Sequence, residues 1–177
     1  RLGVAVVDAP RGRATKMNAG ARASSAPILV FLHADSRLPD GALDRVAAAI
    51  AGGAACGCFR LRIDSGDPRL TVAARIINLR SRLIASATGD QAIFVRRDLF
   101  DRLGGYRALA LCEDLDLVAR LRRHGRFVLC DGEVLTSARR WHAHGVARTI
   151  LLMWTLRLGY HLGLSPRLLA RWYADAR

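Results

Sequence analysis

The sequence predicts a single α/β domain built in layers. Short apolar runs alternate with stretches of helical period along the chain. Helix starts and stops fall between them at Asp, Pro and Gly positions. At 177 residues and 51% apolar, the chain can bury a substantial core and is too apolar to be disordered. Its 16 Gly and 5 Pro follow no period, which excludes a fibrous chain. No internal repeat or low-complexity linker divides it, so residues 1–177 read as one domain, with 146–177 a helical segment packed on it.

Residues 2–7 (Leu-Gly-Val-Ala-Val-Val) read as a strand ending at Asp8. Residues 12–23 follow as a short helix, and 28–33 as a fully buried strand leading to Asp35. Pro39-Asp40-Gly41 opens a helix that runs to Ile50 and stops at Gly52-Gly53. Residues 55–63 alternate as a strand does. Asp67 caps the next helix, with Pro68 in its first turn, and the apolar spacing carries it to about Ile84. Residues 92–95 form a short strand, and Asp98 caps a short helix that Gly104-Gly105 ends. Residues 113–124 form a helix closed by Gly125. Residues 127–130 and 134–136 read as a pair of short strands around Asp131-Gly132. The apolar stretch 146–164 is about long enough to cross a bilayer, but Arg148, Arg157 and His161 interrupt it. A helix packed on the domain, its Arg residues within reach of lipid headgroups, is the expectation.

The charge narrows the partners. Twenty-eight basic residues oppose 15 acidic ones, giving +13, with a pI near 11.3. Lys16 is the sole Lys, and Glu113 and Glu133 are the sole Glu. Nucleic acid, an anionic membrane surface or an anionic small substrate would each suit such a chain. The Arg residues are spread over strands, helices and loops, and aromatic residues make up only 6%, so no Arg-rich helix or stacking platform marks a nucleic-acid binder. Cys56, Cys58, Cys112 and Cys130 lack C-x-x-C spacing and read as buried, reduced thiols, which points to the cytoplasm. The first residues do not resemble a signal peptide. A chain that opens at Arg1 directly into a strand reads as one that begins partway into a domain.

Five segments could carry chemistry. Asp35 follows an apolar strand, where ligands of open α/β sheets bind, and suits Mg²⁺ or Mn²⁺ on phosphates; it equally suits a turn cap. Glu113-Asp114 opens a helix, where a general base or a dipole-favoured acid could stand. Gly89-Asp90-Gln91 combines a turn with two groups able to grip hydroxyls. Arg139-Arg140-Trp141 offers two phosphate-binding forks beside a stacking face, or an Arg laid on a surface Trp. Arg13, Lys16 and Asn18, on the helix that Gly12 opens, suit an anion, without the spacing of a P-loop.

In this order the five segments resemble a family-2 glycosyltransferase of GT-A fold. The resemblance is strongest to the bacterial glycosyltransferases associated with radical-SAM and selenium-domain genes. It implies a Rossmann-like, mostly parallel sheet flanked by helices, here lacking the amino-terminal strand–helix unit. Asp35 matches the last Asp of the family's D-x-D motif, which holds Mn²⁺ or Mg²⁺ on the donor diphosphate; His33 replaces the first and is either a second ligand or a packing residue. Asp114 matches the general base, with Glu113 beside it. The resemblance further implies donor contacts from Arg13, Lys16, Asn18, Asp35, Arg139 and Arg140, and acceptor contacts from Gly89, Asp90, Gln91 and Trp141. The implied reaction is a metal-dependent, inverting transfer from a nucleotide sugar to an acceptor hydroxyl, a lipid-linked one being compatible, at the inner face of the membrane. An incomplete sheet would favour a homodimer. The competing reading is a basic module that binds nucleic acid or anionic membrane without catalysis.

Overall fold

Residues 4–175 are described by a computed structural model of the chain. The strand expected over 2–7 does not form within them. Residues 4–10 have no regular structure, and Val6 is 89% exposed; Leu2 and Gly3 lie outside the described residues. A strand needs a neighbour for its backbone N–H and C=O groups, and this segment pairs with none of the described strands.

The remaining elements follow the sequence signals closely. Helix α1 (Arg13–Arg22) precedes β1 (Ile28–Phe31) and the short β2 (Ser36–Arg37), and α2 is Ala42–Ala51. Strand β3 (Cys56–Asp64) leads to α3 (Pro68–Ile84), whose Asp67 cap accepts a hydrogen bond from the Arg69 amide at 2.8 Å. A 3-10 turn, Gly89–Gln91, precedes β4 (Ile93–Arg96) and α4 (Arg97–Arg102). Helix α5 (Glu113–Leu121) precedes β5 (Phe127–Ser137). The chain then turns wholly helical in α6 (Arg139–His144), α7 (Val146–His161) and α8 (Pro166–Asp175).

The strands form one sheet in the order β1-β4-β3-β5-β2. Only β3 and β5 pair in parallel; β1–β4, β3–β4 and β2–β5 are antiparallel. The mostly parallel sheet expected from the sequence is therefore corrected to a mixed one. Apolar runs signal burial on both faces, and helices cover both faces here whatever the strand direction. Val46 of α2 packs with Phe59, Phe94 and Val134 on one side. Ala14, Phe31, Leu99 and Leu117 pack on the other, where the Phe31 ring meets Phe100 at 5.2 Å and Tyr106 edge-on at 5.0 Å.

Two further corrections concern β5 and β1. The expected pair of strands around Asp131-Gly132 is one strand with a bulge: Phe59 pairs Cys130, and the next residue, Arg60, pairs Glu133. The turn signal is absorbed because β3 continues on both sides of it. Strand β1 alternates between half-buried and buried positions instead of being wholly buried. Gly57 has a packing reason, since a Cβ there would strike the Val128 carbonyl and the Phe94 ring. No helix among the described residues is long and apolar enough to cross a membrane.

Candidate functional site

The antiparallel register of β1 and β4 builds the site. Phe31 pairs Ile93, so the chain leaving β1 and the chain entering β4 lie at the same end of the sheet. His33 and Asp90 thereby meet, with Nδ1 to Oδ1 at 2.8 Å. From α1, Arg13 Nη2 reaches His33 Nε2 at 2.7 Å, while its Nε stands 3.0 Å from Glu113 Oε1. The Gly89 amide donates to Asp114 Oδ2 at 2.8 Å, and the Leu115 amide to Asp114 Oδ1 at 2.8 Å. Four segments far apart in sequence thus form a continuous chain of polar contacts.

Chemistry fixes the imidazole tautomer. Arginine only donates, so His33 Nε2 accepts from Arg13 and Nδ1 carries the proton given to Asp90. Gly89 is required beside it: a Cβ at that position would collide with the His33 ring and press on Arg13. Strained backbone borders both loops. Ala92, directly after the 3-10 turn, has φ 50°, and Cys112, directly before Glu113, has φ 65°. Such left-handed positions cost non-glycine residues on the order of 1–3 kcal/mol and persist where packing dictates them.

The carboxylates here are not equivalent. Burial pushes the Glu113 carboxyl above its ordinary range, assisted by the charge of Asp114 and opposed by Arg13. Burial would raise Asp90 as well, but the His33 hydrogen bond and the charges of Arg140 and Arg13 outweigh it and hold Asp90 below its ordinary value. Burial works against the Arg13 charge, yet Glu113, Asp114 and Asp90 together raise its pKa. The Tyr106 hydroxyl is buried without a hydrogen-bond partner, and burial with the field of Asp114 and Glu113 keeps it protonated.

Other residues expected at the site take different places. Gln91 is fully buried; it accepts from the Thr88 amide at 3.2 Å and donates to Phe59 O and Ser81 Oγ, holding the turn from inside. Asn18 exchanges hydrogen bonds with the Tyr106 backbone. Trp141 packs on the cluster of Leu61, Ile63 and Leu70. Lys16 is exposed on α1, and Arg139 is exposed at the start of α6. Arg140 lies over the Tyr173 ring at 5.8 Å while its charge acts on Asp90.

Asp35 is exposed in the loop beyond His33, its carbonyl accepting from the Ser137 amide at 3.1 Å. No group of three or more His, Cys, Asp or Glu is arranged to hold a metal among the described residues. Both His33 nitrogens are engaged, which leaves Asp35 as the carboxylate suited to Mg²⁺ or Mn²⁺. One exposed carboxylate fits an ion that arrives on substrate phosphates and keeps its waters, not a protein-only cage.

The chain matches no protein-family model and no curated protein. Residues and geometry alone define the site.

Beside the cluster, a cleft of about 620 Å³ opens between the starts of α1 and α8, lined by Arg11, Gly12, Thr15, Ala110, Ser165 and Arg167. That volume lies in the range of small-ligand sites. Two helix amino termini and two guanidinium groups make its wall suited to an anion. The sequence reading missed Tyr106, Arg11 and the start of α8. Ser165-Pro166 is a helix-start signal that could have located α8. Its meeting with α1 comes from tertiary packing alone.

Proposed function

We propose that this domain transfers a glycosyl group from a nucleotide-diphosphate sugar to an acceptor hydroxyl, on a GT-A-type scaffold. One observation supports this best: Arg13, His33, Gly89-Asp90 and Glu113-Asp114, which share only their place in the resemblance, converge at one end of the sheet.

In this reading the cationic wall beside α1 receives the donor diphosphate, and Arg140, whose charge acts on Asp90, adds to the positive field of the site. Asp114 is held by two amides, Gly89 and Leu115, which fix its carboxylate at the amino terminus of α5. It takes the acceptor proton as the hydroxyl oxygen bonds to the anomeric carbon. The bond from that carbon to the diphosphate breaks, and the nucleoside diphosphate leaves with the electron pair. Asp35 would hold a divalent cation, whose charge would offset that of the leaving diphosphate. Arg13 and His33 keep Asp90 ionised and oriented toward sugar or acceptor hydroxyls.

The test is ligand binding followed by turnover. A nucleoside diphosphate or its sugar with Mn²⁺, at 100 times its Kd, should stabilise the fold by about 2.7 kcal/mol. Asp114→Asn should keep that binding yet lower turnover about 10²–10⁴-fold. Full turnover in Asp114→Asn would remove its role as base, and no stabilisation by any such nucleotide would remove the donor class.

A further inference from the structure

Helices α3 and α7 each expose a row of large apolar side chains. On α3 the row is Val72, Ile76, Leu79 and Leu83, of which the least exposed is Ile76 at 48%. On α7 it is Leu151, Trp154 and Leu158, continued by Leu162 just past the helix, and all four are at least 60% exposed. Both rows keep helical spacing, so each is one stripe. The opposite sides of the helices are buried, through Leu70 and Ala74 on α3 and Val146 and Leu156 on α7.

The two helices lie alongside each other. Ile77 of α3 and Ile150 of α7 pack on the same core cluster, and Arg157 Nη2 donates to Ser86 Oγ, just beyond α3, at 3.0 Å. The helices therefore run in the same direction, with both stripes turned away from the body of the domain. Isolated exposed Leu residues need no explanation, but two exposed apolar stripes on helices that pack together do.

The segments that carry the two stripes bear charge of one sign. Residues 68–84 contain four Arg and no Asp or Glu, and residues 134–174 contain six Arg and no Asp or Glu. Arg75 and Arg82 flank the α3 stripe and Arg148 the α7 stripe, all exposed. The excess charge of +13 is thus concentrated in the segments that carry the apolar stripes.

We propose that α3 and α7 together dock on an anionic phospholipid surface, lying in its plane. The Leu, Ile and Trp side chains enter the boundary between headgroups and acyl chains, while the flanking guanidinium groups meet lipid phosphates. Both halves of the surface are used only by this partner. A second copy of the chain would set Arg against Arg around the apolar contact. Duplex nucleic acid would take the charge and leave the aliphatic stripes uncovered. This docking does not depend on the transfer reaction.

The full chain is tested by co-sedimentation with vesicles of phosphatidylcholine alone and of phosphatidylcholine mixed with phosphatidylglycerol. Binding to the mixed vesicles, weakened by added salt and accompanied by a blue shift of tryptophan emission, is expected. The double variant Leu83→Ser/Leu158→Ser should bind the mixed vesicles at least about tenfold more weakly, with an unchanged circular dichroism spectrum because both positions are exposed. Arg75→Gln/Arg82→Gln should lose the preference for anionic vesicles. The proposal is overturned if mixed vesicles do not bind, or if either double variant, folded, binds them as the parent does. A lipid-free dimer in sedimentation velocity that Leu83→Ser/Leu158→Ser converts to monomer would also overturn it, making the occupant a second copy.

Discussion

Asp90 shows how much of the site is decided by single side chains. Its free carboxylate titrates near 3.8; in the fold it lies lower, because the His33 hydrogen bond and two nearby guanidinium groups outweigh burial. A depressed folded pKa contributes stability above the ordinary value that is lost as the pH falls through the folded one. Asp90→Asn should therefore destabilise the domain at pH 7, and by progressively less as the pH falls below the ordinary carboxylate value, a trend that urea unfolding over a pH series measures. Asp116 tests a different kind of charge. It is buried on α5, 2.8 Å from Arg120 Nε and 3.2 Å from Arg107 Nη1, while Arg120 also donates to the Leu103 and Gly105 carbonyls. Asp116→Ala leaves Arg120, whose side chain is only 12% exposed, without its counter-charge. A loss of about 3–5 kcal/mol is expected from denaturant titration. Sequence reading singled out Glu113 and Asp114 in this helix and passed over Asp116, because spacing along a helix does not show which acid faces the protein interior.

At the scale of elements, the helices were the most legible. Asp67-Pro68 specified the start of α3, and Gly52-Gly53 the end of α2, through local backbone chemistry that needs no partner. The strands were legible as strands but not in direction or register. The two segments around Asp131-Gly132 became one strand only because β3 lies beside both of them. The end of α3 carries a testable strain. Ala85 closes it in the left-handed region at φ 48°, a place where glycine is free of the Cβ clash. Ala85→Gly should stabilise the domain by about 1 kcal/mol. Its melting temperature should then rise by about 2–4 °C, read by calorimetry.

For the molecule as a whole, all four cysteines are free and buried: Cys56 and Cys58 lie on β3, Cys112 directly before α5 and Cys130 on β5. Burial pushes the thiols of Cys56 and Cys112 up to about 12, where the reactive thiolate is scarce at neutral pH. Ellman's reagent should find almost no reactive thiol in the native domain and four in guanidinium chloride, and reductant should leave its stability unchanged. The net charge also looks different once folded. Along the sequence it is a scatter of Arg, whereas in the structure its excess gathers on α3 and the carboxyl-terminal helices, next to the exposed apolar stripes.

The sequence by itself determined the α/β class, the extents of most helices and the segments where polar chemistry would cluster, because capping, periodicity and turn preference act over a few residues. Tertiary structure alone decided the mixed sheet, the bulge in β5, the absence of a strand at residues 4–7 and the partnership of His33 with Asp90 and Arg13. It also turned Gln91, Asn18 and Trp141 inward, to hold loops and core. Each of these depends on which distant segment supplies a hydrogen-bond partner or a packing surface, and spacing along the chain does not record that choice.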